Sequence, residues 1–355
     1  MNFEFPYTWL TSQKEPLLIA GPCGAENYEQ VMETARGLVP LKNLCLFRSG
    51  IWKPRTRPSS FEGKGEEALK WLQEVKKEFG FNTTVEVANA AHVELALKYQ
   101  VDVLWIGART TVNPFSVQEI ADALKGVKIP VLVKNPVHAD LQLWIGALER
   151  INNAGISQLA AIHRGFHYYQ KRKYRNEPLW KIPIELRRNF PELPIFCDPS
   201  HIAGKREYIQ QVAQKAMNIG FNGLMIETHY KPEIALSDAD QQLNPQSLCE
   251  IMASLNVRKE KTDLPETENE LSELRKIIDE IDEELIDAIL KREDVIKRIG
   301  KFKKNHSITV FQLERWQEIL RTRAQWADER GISRNHVEKL CQLLHEESIR
   351  IQNSI

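Results

Sequence analysis

A (β/α)8 barrel followed by a smaller all-α domain is the fold class the sequence predicts, and three observations predict it. Over the first 255 residues, eight short runs rich in Val, Ile and Leu alternate with helix-length stretches. A charged tract with almost no large apolar side chains then interrupts the pattern. Beyond it the short runs cease, and a long proline-free apolar heptad takes over.

The eight runs are "PLLIAGP", "NLCLFRS", "FNTTVEV", "DVLWIGA", "IPVLVKN", "ISQLAAIHRG", "LPIFCDPS" and "FNGLMIE". Each is short and continuously apolar, as parallel strands buried on both faces should be. Amphipathic stretches such as "EEALKWLQEVKKEFG" and "HVELALKYQ" lie between them. Eight strand–helix units in about 250 residues suit a closed TIM barrel. An open doubly wound sheet is the competing fold, and no GxGxxG follows the first run to favour it. "NVRKEKTDLPETENE" reads as a linker. The division is therefore a barrel domain over 1–255, a linker over 256–268 and a helical domain over 269–355. In the last of these, apolar residues recur at Leu271, Leu274, Ile278, Ile281, Leu285, Ala288, Val295, Ile299 and Phe302, which predicts one long helix. "VFQLERWQEILRTRAQWADERG" and "SRNHVEKLCQLLHEESIRIQ" predict two more, the latter capped by Ser333.

Bulk composition narrows the function. A chain of 355 residues exceeds what one core usually supports. Lys plus Arg equals Asp plus Glu at 48 each, which argues against a general nucleic-acid or membrane-surface binder. No basic start with a long apolar run opens the chain, and no stretch approaches the roughly 20 apolar residues a membrane helix needs. Five scattered cysteines, an odd number, fit a reducing cytoplasm.

In a barrel of this kind, chemistry sits at the C-terminal strand ends. The ends of the eight runs supply Cys23, Arg48, Glu86, Arg109, Lys134, Arg164, His201 and Glu227. Cys23, His201 and Glu227, with Asp238 in "IALSDADQQL", offer one sulfur, one nitrogen and two carboxylates, a set suited to a catalytic divalent metal. Singly, each has a plainer reading as filler, loop hydrogen-bonder or partner of an arginine. Arg48, Lys53, Arg55, Arg109, Lys134 and Arg164 form the other group. Cations converging on one mouth repel unless anions sit among them, and guanidinium forks match phosphate and carboxylate. The prolines of "FRSGIWKPRTRPSSFEG" limit that loop's freedom and hold its cations ready for a phosphate.

Taken together and in order, "GPCG", "RSGIWKPRT", "SFEG", "GART", "VLVKNP", "HRG", "DPSHIAGKR" and "GLMIETH…ALSDADQQL" resemble the 3-deoxy-D-arabino-heptulosonate 7-phosphate (DAHP) synthases. The resemblance runs from about residue 15 to 250, in the short form that shares a barrel with 3-deoxy-octulosonate 8-phosphate synthase. It implies condensation of phosphoenolpyruvate with erythrose 4-phosphate at a divalent ion, whether Mn, Co, Fe or Zn. By motif, Cys23, His201, Glu227 and Asp238 would hold the metal. Arg48, Lys53, Arg109, Lys134 and Arg164 would hold phosphoenolpyruvate, and Arg55 and Thr56 the aldose phosphate. Lys53 or a water would donate the proton to the new hydroxyl, and Glu86 is left open between a catalytic and a structural role. The stretch Lys53-Pro54-Arg55-Thr56 favours the four-carbon aldose over arabinose 5-phosphate, while Trp52 and Arg57 depart from the commoner residues there.

Arg292 interrupts the apolar heptad, and a lone buried cation is costly. A register-fixing polar residue is the plain explanation; an anion pocket within a helical dimer is the functional one. Residues 268–355 resemble the all-helical chorismate mutases. Arg275, Arg292, Lys303 and Arg315 match that family's cations, and Ser348 and Gln352 its polar pair. The resemblance implies a homodimer through the helical domain, or a higher oligomer, with the first arginine supplied by the partner chain. It also implies rearrangement of chorismate to prephenate, with Lys303 and Gln352 facing the ether oxygen. Gln312 stands where aspartate is common and Trp316 where glutamate is common. A non-catalytic chorismate- or prephenate-sensing module is therefore the alternative, and feedback on the barrel is expected in either case. A phosphosugar-binding regulator is the third reading.

Overall fold

The computed structural model describes residues 1, 16–53, 60–170, 172–258 and 265–355. They fall into two compact units, Met1–Glu260 and Lys261–Ile355.

All eight runs form strands of the first unit. They are β1 Leu17–Gly21, β2 Leu44–Ser49, β3 Thr83–Val87, β4 Val103–Ile106, β5 Val131–Lys134, β6 Leu159–His163, β7 Ile195–Cys197 and β8 Gly223–Glu227. Every neighbouring pair is parallel, and β8 returns to β1 to close the barrel. The intervening helices are α1 Tyr28–Leu38, α2 Glu66–Phe79, α3 Ala90–Lys98, α4 Ala108–Thr111, α5 Pro114–Ala123, α6 Leu141–Asn153, α7 Lys181–Asn189, α8 Pro199–Ala203, α9 Ile209–Asn218 and α10 Pro245–Ser254. Local chemistry starts several of them: Asn27, Asn89, Asn113, Asp140 and Asn244 each accept a backbone N–H of the first turn with their side chains.

Continuous apolar runs arise because both faces of each strand are covered. Leu17, Ile19, Leu46, Val103, Trp105, Leu132, Phe196 and Met225 fill the barrel interior. The alternate residues, such as Leu104, Ile106, Val131 and Val133, pack outward against the helices. Each fully buried Leu or Ile contributes about 1.5–3 kcal/mol. Trp105 is fully buried and forms the interior layer beneath the strand ends.

The second unit holds α11 Pro265–Asn305, α12 Leu313–Glu329 and α13 Arg334–Asn353. The first begins inside the charged tract. Ser333 occupies the N-cap of α13, but its side chain makes no capping bond; its carbonyl instead accepts from His336 and Val337. A Cβ on Gly300 would meet Gln352 Cγ at 3.2 Å and Ile355 Cδ1 at 2.6 Å, so α11 and α13 approach closely there. By contrast, every residue from 273 to 291 is exposed, although α11 is 41 residues and about 60 Å long. Among the described residues, no helix is long and apolar enough to cross a membrane.

His163 ends β6 inside an aromatic cage of Trp144, Phe166, Trp180 and Phe221. Burial lowers its pKa to about 3, below the ~6.5 of an unfolded chain. The folded state therefore holds a neutral ring. Its stability is full above about pH 6.5 and is lost as pH falls toward 3. We expect wild type to lose roughly 2–3 kcal/mol more than His163→Phe between pH 6.5 and 4.5 in denaturant unfolding. Parallel pH profiles for the two proteins would refute this.

Candidate active site

The strand ends of the first unit surround a cavity of about 550 Å³. Arg48 lies within β2, Lys134 ends β5 and Glu227 ends β8. Cys23 and Arg164 follow β1 and β6 directly, Arg109 sits in α4 and His201 in α8. Lys53, Glu86, Arg109, Lys134, Arg164 and Asp238 all line the cavity. Arg55 and Thr56 fall outside the described residues.

The anionic side of the mouth is built around Glu227, which is fully buried. Gln241 Nε2 donates to its Oε2 at 2.6 Å. Its Oε1 lies 3.3 Å from Arg48 Nη1 and 3.8 Å from His201 Nε2, yet no hydrogen bond reaches it. The candidate ligand atoms of Cys23, Glu227 and Asp238 lie within 4.8 Å of one another. His201 Nε2 approaches this trio at Glu227 Oε1, 3.8 Å away. Burial, with Glu227 and Asp238 nearby, pushes the Cys23 thiol up to about 12. Burial lowers the His201 pKa, which leaves a neutral imidazole. Asp238 adopts a left-handed backbone at φ 46, and Arg175 Nη1 donates to its Oδ1 at 2.9 Å. One sulfur, one neutral imidazole and two carboxylates, with a buried carboxylate oxygen lacking any hydrogen bond, are donors that fit a divalent cation of borderline softness.

The cationic side rests on Trp105. Arg48 lies 5.0 Å and Lys134 5.8 Å from that ring. Arg48 is 2% exposed; its Nε and Nη1 are buried without a hydrogen-bond partner. Lys134 Nζ is 2.8 Å from Asp198 Oδ2. Arg164 donates to Asn176 Oδ1 at 2.8 Å, and its pKa falls to about 10 because burial disfavours the charge. Lys53 Nζ donates to the Cys23 carbonyl and to Cys23 Sγ, both at 2.7 Å. Glu86 Oε2 accepts from Trp105 Nε1 at 3.0 Å, and a Cβ on Gly107 would come within 1.9 Å of its Oε1, so glycine is required there.

Sequence reasoning passed over Asp198 and Arg175. Asp198 is fully buried; its Oδ2 lies 2.8 Å from both Lys134 Nζ and His201 Nδ1, and its Oδ1 accepts His201 N at 3.0 Å. The signal for it was local: an aspartate before proline at the start of α8. Arg175 gave none, since it lies on the long connection after β6.

In the helical unit, Arg292 Nη1 donates to Ser348 Oγ at 2.8 Å and to Leu344 O at 3.1 Å. Gln352 Nε2 donates to Ser348 O at 3.1 Å, while its Oε1 is buried with no partner. Lys303 and Gln312 line a cavity of about 670 Å³; Lys303 Nζ donates to Val310 O at 2.7 Å. The remaining two cations are not gathered within one chain. Arg275 stands seventeen residues before Arg292, about 25 Å along the helix, and pairs with Glu268 at 3.6 Å. Arg315 pairs with Glu318 at 2.5 Å on the exposed side of α12.

A family profile described as the DAHP synthetase I family matches residues 9–263, and one described as chorismate mutase type II matches residues 274–353. A phospho-2-dehydro-3-deoxyheptonate aldolase of Thermotoga maritima is 32% identical over 227 residues, which cover 64% of this chain and 65% of the relative. The chain thus spans about two thirds of that relative's length. A 2-dehydro-3-deoxyphosphooctonate aldolase of Helicobacter pylori is 28% identical over 264 residues, covering 67% of this chain and 93% of the relative. The crystal structure of the Thermotoga maritima DAHP synthase superposes with a TM-score of 0.60 at 30% identity, covering 67% of each chain.

Asp198 compensates two buried groups at once. We expect Asp198→Ala to lower unfolding free energy by roughly 3–5 kcal/mol, because Lys134 is left as an uncompensated buried charge. Denaturant titration reads this, and a loss under about 1 kcal/mol would show that the lysine is compensated elsewhere.

Proposed function

The chain belongs to the DAHP synthetase I family, and from that premise we propose that its barrel condenses phosphoenolpyruvate with erythrose 4-phosphate to give DAHP and phosphate. The observation that carries this is the polarity of one mouth. Arg48 Nε and Nη1 are buried without hydrogen-bond partners, and so is Glu227 Oε1, which lies 3.3 Å from that Nη1. Unmade buried hydrogen bonds of this kind cost about 1–3 kcal/mol each and are relieved by ligands of opposite charge. Arg48, Arg109, Lys134 and Arg164 supply donors for a carboxylate and a phosphate together.

Cys23, His201, Glu227 and Asp238 would hold the divalent ion. Bound there, it would supply Lewis acidity toward a carbonyl oxygen. The chain's own groups prepare the rest. Asp198 faces His201 Nδ1 and favours the tautomer with its proton there, which frees the Nε2 lone pair. Gln241 holds Glu227 by Oε2, which leaves Oε1 without a hydrogen bond between Arg48 and His201. Lys53 Nζ spends two of its three donors on Cys23, leaving a third for the aldose hydroxyl or phosphate. The reacting double bond of phosphoenolpyruvate would add to the aldehyde carbon, and water would add to the resulting cationic carbon before phosphate leaves. Preference for the four-carbon aldose rests on Lys53-Pro54-Arg55-Thr56 in the sequence.

For the helical unit we infer rearrangement of chorismate to prephenate in a site shared between two chains. Leu274, Ile278, Ile281 and Leu285 of α11 are all exposed, an apolar stripe that a second copy would cover. The 25 Å between Arg275 and Arg292 supports the same reading, since only another chain's Arg275 would complete a pocket at Arg292. Rearrangement within one molecule needs no nucleophile, only a shaped pocket with donors. Trp316 and Gln312, in place of carboxylates, keep the sensor reading in play; chorismate bound but not consumed would decide for it. Feedback on the barrel remains an expectation, read by adding prephenate to the synthase assay.

Phosphate release from phosphoenolpyruvate should occur with erythrose 4-phosphate, be weak with arabinose 5-phosphate, cease with a chelator and return with added divalent ion. Release that persists after exhaustive chelation would remove the metal from the proposal. Arg275→Ala and Arg292→Ala should each abolish chorismate consumption. Refolded together in equal amounts, they should regain roughly a quarter of wild-type turnover, since half the dimers carry one intact site. No recovery on mixing would place each site within one chain.

A further inference from the structure

The surroundings of His345 were not signalled by any motif. On α13, His345, Ser348 and Gln352 are spaced i, i+3 and i+7 and so share a face. Arg292 from α11 grips that face on either side of the histidine, through Leu344 O and Ser348 Oγ. The imidazole lies flat on Trp316 of α12, with ring centroids 4.2 Å apart and planes at 15°. Phe311 meets its edge at 5.9 Å. One ring from α12 and one from the segment just before it therefore set the plane and direction of the imidazole. Its Nε2 is nonetheless buried with no hydrogen-bond partner, as is Gln352 Oε1 about two helical turns further along α13. A closed core would not leave two polar atoms bare on one helix face at a cost of about 1–3 kcal/mol each. A pocket shaped for a polar guest would.

We propose that His345 contacts the ligand of the helical site, its Nε2 hydrogen-bonding an oxygen of the cyclic dicarboxylate beside Arg292. The proposal rests on reading this unit as a chorismate site. Trp316 offers only an N–H donor, so it cannot accept a hydrogen bond from a ligand hydroxyl. The imidazole stacked on it can accept or donate through Nε2. Burial lowers the pKa of His345, and Arg292 and Lys303 lower it further. The ring is thus neutral near pH 7 and keeps both options. Trp316 acts here as a positioning residue, because its indole face holds the imidazole plane.

The test uses the full-length protein, with chorismate consumption followed by loss of its ultraviolet absorbance. His345→Phe keeps a ring to stack on Trp316 and removes the polar atom. His345→Gln gives up the stack and keeps a polar group. Melting temperature and helical circular dichroism monitor folding of both. The expected result is a KM for chorismate raised about tenfold in His345→Phe, with kcat nearly unchanged and the melting temperature kept. His345→Gln should recover part of that loss. A wild-type KM in His345→Phe overturns the proposal while leaving the chorismate reading intact. A KM raised equally in both variants together with a lowered melting temperature in both overturns it in favour of a purely structural role. If wild type neither binds nor consumes chorismate, the chorismate reading itself fails, and this proposal with it.

Discussion

Two buried cations held against one indole are the constraint on which the barrel site depends. Arg48 and Lys134 both lie over the Trp105 ring, at the level where the barrel interior ends. Charges taken that far from water must be compensated. Glu227 and Asp198 do so, each fully buried and each also close to His201. The imidazole therefore sits between two carboxylates that are already committed to cations. Compensation is deliberately incomplete in geometric terms: Arg48 Nη1 and Glu227 Oε1 are 3.3 Å apart yet not aligned as a hydrogen bond. What stabilises the fold thereby leaves two nitrogens of Arg48 and one oxygen of Glu227 without hydrogen bonds.

The outer parts of the site are arranged to protect this balance. Asp238 is carried on a strained left-handed residue, a conformation that an aspartate tolerates better than most. Arg175 holds its Oδ1 and also donates to Gln241 Oε1, while Gln241 holds Glu227. A single arginine from the connection after β6 therefore orders two carboxylates. Arg175 and neighbouring Glu227 and Asp238 form a chain of contacts in which moving one oxygen disturbs the others.

The helical unit shows the opposite economy. Its packed part is small: Gly300, Ala324, Ala327, Ser348 and Ile351 are buried, while every residue of α11 from 273 to 291 is exposed. A row of exposed Leu and Ile on so long a helix costs solubility unless it is covered. Arg292, Ser348 and Gln352 are nevertheless locked in place by α13 and the close approach at Gly300. These three side chains are thus ordered within a single chain.

Strand number and order were legible in the sequence because a strand buried on both faces must be apolar at every position, and eight such runs admit few arrangements. The polar residues at their ends were legible for the same reason: Arg48, Lys134 and Glu227 stand out against apolar surroundings. The long helix was legible from its heptad. Contacts made by loops and by side chains of unremarkable position were not. Asp198, Arg175 and His345 acquire meaning only when segments 29 to 66 residues apart meet, and the distances between their atoms depend on barrel closure and helix packing rather than on local pattern. Sequence determined which charges this protein must bury; the tertiary structure alone decided which of them are paired, because Coulomb energy and hydrogen bonding depend on ångströms that no spacing along the chain encodes.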